Sequence, residues 1–134
     1  HDDETYDSGG VGALAHEYGH FLDYYFGTHI DKNWQYHSLT KGRSVAKYPE
    51  ANDLQNNTLH GLANEIVMTC IWTDKTFSDE TTHYKGLQKR FGGTEYWFRH
   101  NEIFARAFEQ YVFNKLKKLR INNYFLTSYK YDSA

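Results

Sequence analysis

Two histidines four residues apart, His16 and His20, bracket Glu17 in the run His16-Glu17-Tyr18-Gly19-His20. On an α-helix, positions i and i+4 stack one above the other on a single face, so both imidazoles point the same way. Such a pair can grip one metal ion, and the carboxylate between them is held near the metal's open coordination position. The H-E-x-x-H pattern therefore requires a helix, and a packed one, because ligands on a fraying element hold nothing in place. The bland alternative is an ordinary amphipathic helix with both rings on its solvated side.

The surrounding sequence favours the packed helix. Asp7-Ser8-Gly9-Gly10 offers N-cap and turn chemistry and Gly27 stands where a helix would stop, so the spacing predicts one helix over residues 10–26. Val11, Leu14, Ala15, Tyr18, Phe21, Leu22 and Tyr25 supply its apolar face. From Thr58 to Thr73, Leu59, Leu62, Ala63, Ile66, Val67, Cys70 and Ile71 recur at helical spacing and predict a second helix packed behind the first. A shorter helix is expected over Tyr84–Phe91, stopped by Gly92-Gly93, and a long one from Asn101 to Leu119 with Ile103, Phe104, Ala107, Phe108, Tyr111, Val112 and Leu116 as its buried stripe. Residues 28–57, with the single proline Pro49, lack a steady period and read as a loop or several short elements. Ile121–Tyr131 is rich in aromatic and branched residues and reads as an extended strand or a docked arm. The organisation predicts a mainly α fold with little or no β-sheet.

With 134 residues and 40% hydrophobic content, the chain can bury one core, so residues 1–134 are expected to form a single domain. Its 12 Tyr and 9 Phe point to a core built largely from aromatic side chains on helices. The lone Cys70 excludes an internal disulfide and a thiolate zinc cluster, which leaves His, Glu and Asp as the available ligands. Cys70 itself lies in an apolar helical run and is expected to be a buried thiol. No stretch approaches the ~18 apolar residues of a membrane span and no signal peptide is visible, so a soluble, cytoplasmic chain is expected. It opens on His rather than Met, which reads as a fragment of a larger multidomain protein.

The net charge of −2 is unevenly spread. Residues 1–67 carry 4 basic and 10 acidic side chains (−6), and residues 68–134 carry 11 basic and 7 acidic (+4). Lys115, Lys117, Lys118 and Arg120 complement the dipole at the end of the long helix, which accounts for the densest basic cluster. A sequence pI near 6.5 argues against a dedicated nucleic-acid module.

Two histidines do not complete a catalytic zinc site, which usually takes three protein ligands and leaves one position for water. Asp23 shares the face of His20 but lies nearly two turns from His16, about 10 Å along the axis, and so reads as a group that orients a ligand. Glu102, at the first turn of the long helix, is the better third ligand, and small Ala105 one turn later would let two helices approach closely. Glu109, seven residues on and on nearly the same face, is its rival. Arg106 is placed to form an i, i+4 ion pair with Glu102. His1, His29, His37, His60, His83 and His100 show no paired spacing and default to structural roles.

Two segments resemble known proteins. His16-Glu17-Tyr18-Gly19-His20-Phe21-Leu22-Asp23, followed about eighty residues later by Glu102-Ile103-Phe104-Ala105-Arg106-Ala107-Phe108, is similar to the gluzincin metallopeptidase arrangement and to the catalytic domain of anthrax lethal factor. The run Tyr96–Val112 looks closer still to the zincin-like domain called large polyvalent protein-associated domain 1, found in long multidomain proteins of phages and conjugative elements. The resemblance covers roughly a third of the chain. It implies a zincin-like helical core, a zinc ion held by His16, His20 and Glu102, and a phenol at Tyr96 that stabilises an oxyanion. Arg99 or His100 could take that last role, and aromatic packing is the rival reading of Tyr96-Trp97-Phe98. Two departures stand out: Arg106 replaces the acidic residue that many gluzincins carry four positions after the ligand Glu, and the segment before His16 is too short for the usual substrate-binding sheet.

The expected chemistry is peptide hydrolysis, with Glu17 as general base towards a metal-activated water. The expected partners are a peptide or protein substrate and the other domains of the parent polyprotein. The competing class is a zincin-shaped binding or scaffolding module that no longer turns over substrate.

Overall fold

The computed structural model describes residues 14–29 and 37–119. The predicted helix start at residues 10–13 and the tail Ile121–Tyr131 lie outside the described residues. Four α-helices follow one another: α1 (Leu14–His29), α2 (Leu59–Ile71), α3 (Thr82–Phe91) and α4 (His100–Lys118), with a 3₁₀ turn at Tyr96–Phe98 before α4. Among the described residues the strand-like pairing is a single antiparallel bridge between Trp72 and Glu80. The fold is mainly α.

The chain divides into two compact units: the described residues of His1–Phe21 and Ala105–Ala134, and Leu22–Phe104. In the second, α2 begins at Thr58, whose hydroxyl accepts from the Gly61 N–H, and α3 begins at Thr81, whose hydroxyl accepts from the Tyr84 N–H. Each satisfies one of the donors that a helix start leaves without an intrahelical acceptor. Val67, Met68, Ile71, Trp72, Tyr84 and Ile103 form the core, with Leu54, Cys70, Phe77, Phe98 and Phe104 packed against it. Trp72 stacks on Tyr48 at 5.0 Å and donates its indole N–H to the Lys47 carbonyl at 2.7 Å. Burial pushes the Cys70 thiol up to about 11, as befits an inert thiol in an apolar setting.

The helix spans agree with the periodicity, but the buried faces are turned. On α2 the buried residues are His60, Gly61, Ala63, Asn64, Val67, Met68 and Ile71, whereas Leu59, Leu62 and Ile66 are exposed. Helix α1 behaves in the same way: Leu14, Tyr18, Phe21 and Tyr25 are exposed, and the buried stripe runs through Ala15, His16, Gly19, Asp23 and Gly27. Helix α1 also passes through Gly27 to end at His29. A Cβ at Gly27 would lie 2.3 Å from the Ser38 Cα, so this glycine admits a loop rather than stopping a helix.

Candidate metal centre

In the first unit α1 meets α4 at small residues. A Cβ on Gly19 would come within 3.1 Å of the Ala105 Cα and 3.2 Å of the Phe108 Cβ, so the backbones approach as the small side chain of Ala105 suggested. Tyr18 flanks this contact, its ring 6.1 Å from that of Phe108. One turn before Gly19, His16 is buried, and one turn beyond Ala105, Glu109 is fully buried. The Nδ1 of His16 lies 3.5 Å from Oε1 of Glu109. The rings of His16 and His20 stand edge to face with centroids 4.9 Å apart, as i, i+4 placement requires.

In the second unit a loop fixes the start of α4. Lys41 and Gly42 both adopt left-handed backbone (φ 66° and 59°), and the chain then turns so that the Gly42 and Ser44 carbonyls accept from the first N–H groups of α4. Asn101 N–H donates to Gly42 at 2.9 Å and His100 N–H to Ser44 at 2.7 Å. These bonds satisfy two N–H groups at the helix start, and Glu102, which is 3% exposed, sits in the first turn, where the helix dipole favours negative charge. The His100 imidazole approaches the Ala46 carbonyl at 2.7 Å, and Asn101 donates its side-chain amide to the Tyr24 hydroxyl at 2.8 Å.

The same loop is held to α1 by Asp23. Its Oδ1 accepts from the Thr40 N–H at 3.1 Å and its Oδ2 from the Thr40 hydroxyl at 2.7 Å, both out of solvent. Asn64 of α2 donates to the Leu39 carbonyl at 2.9 Å. Buried Lys41 bonds to Glu50 at 2.7 Å and to Asp53 at 3.3 Å.

One ligand atom from each of His16, His20 and Glu102 lies within 4.8 Å of the other two. Two imidazoles and a carboxylate make a three-ligand set suited to zinc. Glu109, the rival ligand, is described beside His16 instead. Glu17 is exposed on α1. Tyr96 is 44% exposed in the 3₁₀ turn, 5.6 Å from the Trp97 ring and 5.7 Å from the Arg99 guanidinium. His60 and His100 are buried with side-chain polar contacts, in keeping with structural roles.

A cavity of about 590 Å³ beside α2, lined by Leu54, Leu62, Met68, Trp72 and Phe77 among others, contains none of these residues. The sequence did not reveal the approach of Glu109 to His16 or the close helix contact at Gly19. The small residues spaced four apart at Ala15 and Gly19 were the available signal.

Residues 89–134 match the family described as large polyvalent protein-associated domain 1. This segment takes in the 3₁₀ turn and all of α4, including Glu102 and Glu109. No curated protein and no solved structure matches the chain. No described helix is long and apolar enough to cross a membrane.

Proposed function

We propose that this chain carries a gluzincin-type zinc endopeptidase site, acting within a polyprotein of a phage or mobile element. The observation that carries the reading is the grouping of His16, His20 and Glu102, because a chain with the H-E-x-x-H pattern also brings a buried carboxylate to the pair. The family match over residues 89–134 supports the polyprotein context, since domains of that description are associated with large polyvalent proteins.

His16, His20 and Glu102 would hold the metal. A zinc ion there supplies Lewis acidity, lowering the pKa of a water and polarising a peptide carbonyl. Glu17, exposed and next in sequence to His16, takes the proton of the attacking water and passes it to the departing amine. Tyr96, in the turn ahead of α4, would donate its hydroxyl to the oxyanion. A peptide in extended form is the substrate class, as for other hydrolysis of this kind.

The test pairs metal analysis with cleavage of an unstructured general protein substrate such as casein. Wild type is expected to carry one zinc per chain and to cleave. Glu17→Gln keeps both histidines and is expected to retain zinc while losing about 10²–10⁴-fold in rate. Equal activity of wild type and Glu17→Gln would remove Glu17 from the mechanism. A zinc-loaded wild type that cleaves nothing would leave a binding or scaffolding module in place of an enzyme.

A further inference from the structure

The fully buried Glu109 carboxylate faces His16 across the contact between α1 and α4. The Gly19–Ala105 approach sets the two helices against each other, with His16 one turn back along α1 and Glu109 one turn forward along α4. The neighbours that let this happen are small and buried, Ala15 at 5% exposure and Ala105 at 0%, and the pair itself is buried. The 3.5 Å separation involves Nδ1 of His16 in particular, which leaves Nε2 as the nitrogen available to a metal.

We infer that Glu109 is a positioning residue: its carboxylate lies 3.5 Å from Nδ1 of His16 without a hydrogen bond between those two atoms in this structure, and on metal binding it would close on the Nδ1–H, fix the ring's tautomer and orientation, and present Nε2 to the metal. This inference rests on the metal site proposed above. Ligand histidines characteristically donate their second ring nitrogen to a carboxylate or carbonyl, and loss of such a partner typically weakens metal affinity about 10–100-fold. The position has a sequence consequence. Where many gluzincins place an acidic residue four positions after the ligand Glu, this chain has Arg106, and a carboxylate three residues further along the same helix reaches the first motif histidine instead. Burial makes the role selective, because a fully enclosed carboxylate is held in one place and cannot drift to solvent when the metal arrives.

The experiment is zinc titration of the full chain against a competing chromophoric chelator, for wild type and Glu109→Gln, with nitrogen-15 histidine spectra of the zinc-loaded wild type. Glu109→Gln is nearly isosteric, and its metal-free melting curve serves as the folding control. A wild type that binds one zinc, a variant 10–100-fold weaker at unchanged metal-free stability, and a wild-type His16 protonated at Nδ1 with Nε2 on the metal would support the assignment. Equal zinc affinity of the two proteins, or coordination of zinc through Nδ1 of His16, would overturn the assignment while leaving the metal site standing. If the variant does not fold, the wild-type tautomer alone decides. A wild type that binds no zinc would overturn the metal site and this inference together.

Discussion

Asp23 and Glu109 are both fully buried carboxylates, yet one secures a loop and the other faces the imidazole of His16, a proposed metal ligand. Asp23 accepts from the backbone N–H and the hydroxyl of one neutral residue, Thr40, at 3.1 and 2.7 Å. Neither donor titrates or binds metal, and their joint effect is to hold residues 39–40 against α1. Glu109 stands 3.5 Å from an imidazole nitrogen, a group with a second nitrogen to offer. Burial of a charge alone therefore does not mark a functional site. What separates the two on the proposed reading is the chemistry of the partner: the Thr40 donors would make an anchor, and a metal-ligating ring would make a tuning contact.

The sharpest way to break this comparison is to weaken each carboxylate's surroundings separately. Thr40→Val removes the hydroxyl that Asp23 accepts from, leaving a buried carboxylate short of a donor. It is expected to cost about 1–3 kcal/mol of unfolding free energy, measured by urea denaturation of the metal-free protein. Glu109→Gln is expected to do the reverse, moving zinc affinity more than stability. Variants that shift both quantities alike would erase the distinction between anchor and tuning contact.

A smaller effect concerns the histidine seated on the loop. Burial holds the His100 imidazole below its ordinary value near 6.5, despite the Ala46 and Thr40 carbonyls and Asp53, which act the other way, and with Lys41 adding to the depression. A depressed value means the unfolded chain takes up the proton first as pH falls. The stability His100 contributes is therefore complete above about 6.5 and is lost progressively as pH drops from there towards its folded value. Denaturation midpoints between pH 8 and 5 should decline on the acid side, and His100→Gln should flatten that part of the decline. An unchanged slope in the variant would mean that other groups carry it.

Helix number and rough limits were legible because they depend on local signals: the i, i+3, i+4 spacing, Thr58 ahead of α2 and Gly92 after α3. The inward faces were not. Helices α1 and α2 carry apolar side chains on more than one side, so periodicity alone could not choose between Leu62 and His60 or between Tyr18 and Gly19. Close backbone approach decided the matter, at Gly19 against Ala105 and at Gly27 against Ser38. Gly27 looked like a helix stop because sequence shows that a glycine is permissive without showing what needs the space. The Asp23–Thr40 anchor was illegible for a related reason. Thr40 belongs to an aperiodic loop, and its register against α1 depends on left-handed residues 41 and 42, which leave no spacing pattern.

The candidate ligands were legible because each sits where a local rule places it. His16 and His20 follow from one-turn spacing, and Glu102 from its place at the start of a helix. Glu109 was visible as an acidic residue on the right face, but its partner atom could be named only from coordinates. That atom is Nδ1 of His16, 3.5 Å from the Glu109 carboxylate.

A crystal structure of the chain loaded with zinc, with the ion located by anomalous scattering at its absorption edge, tests the central claim most directly. The account predicts one fully occupied ion bound by His16, His20 and Glu102, with Glu109 remaining on the far side of the His16 ring. An ion coordinated by Glu109 in place of Glu102, or no ion at the histidine pair under saturating zinc, would contradict it.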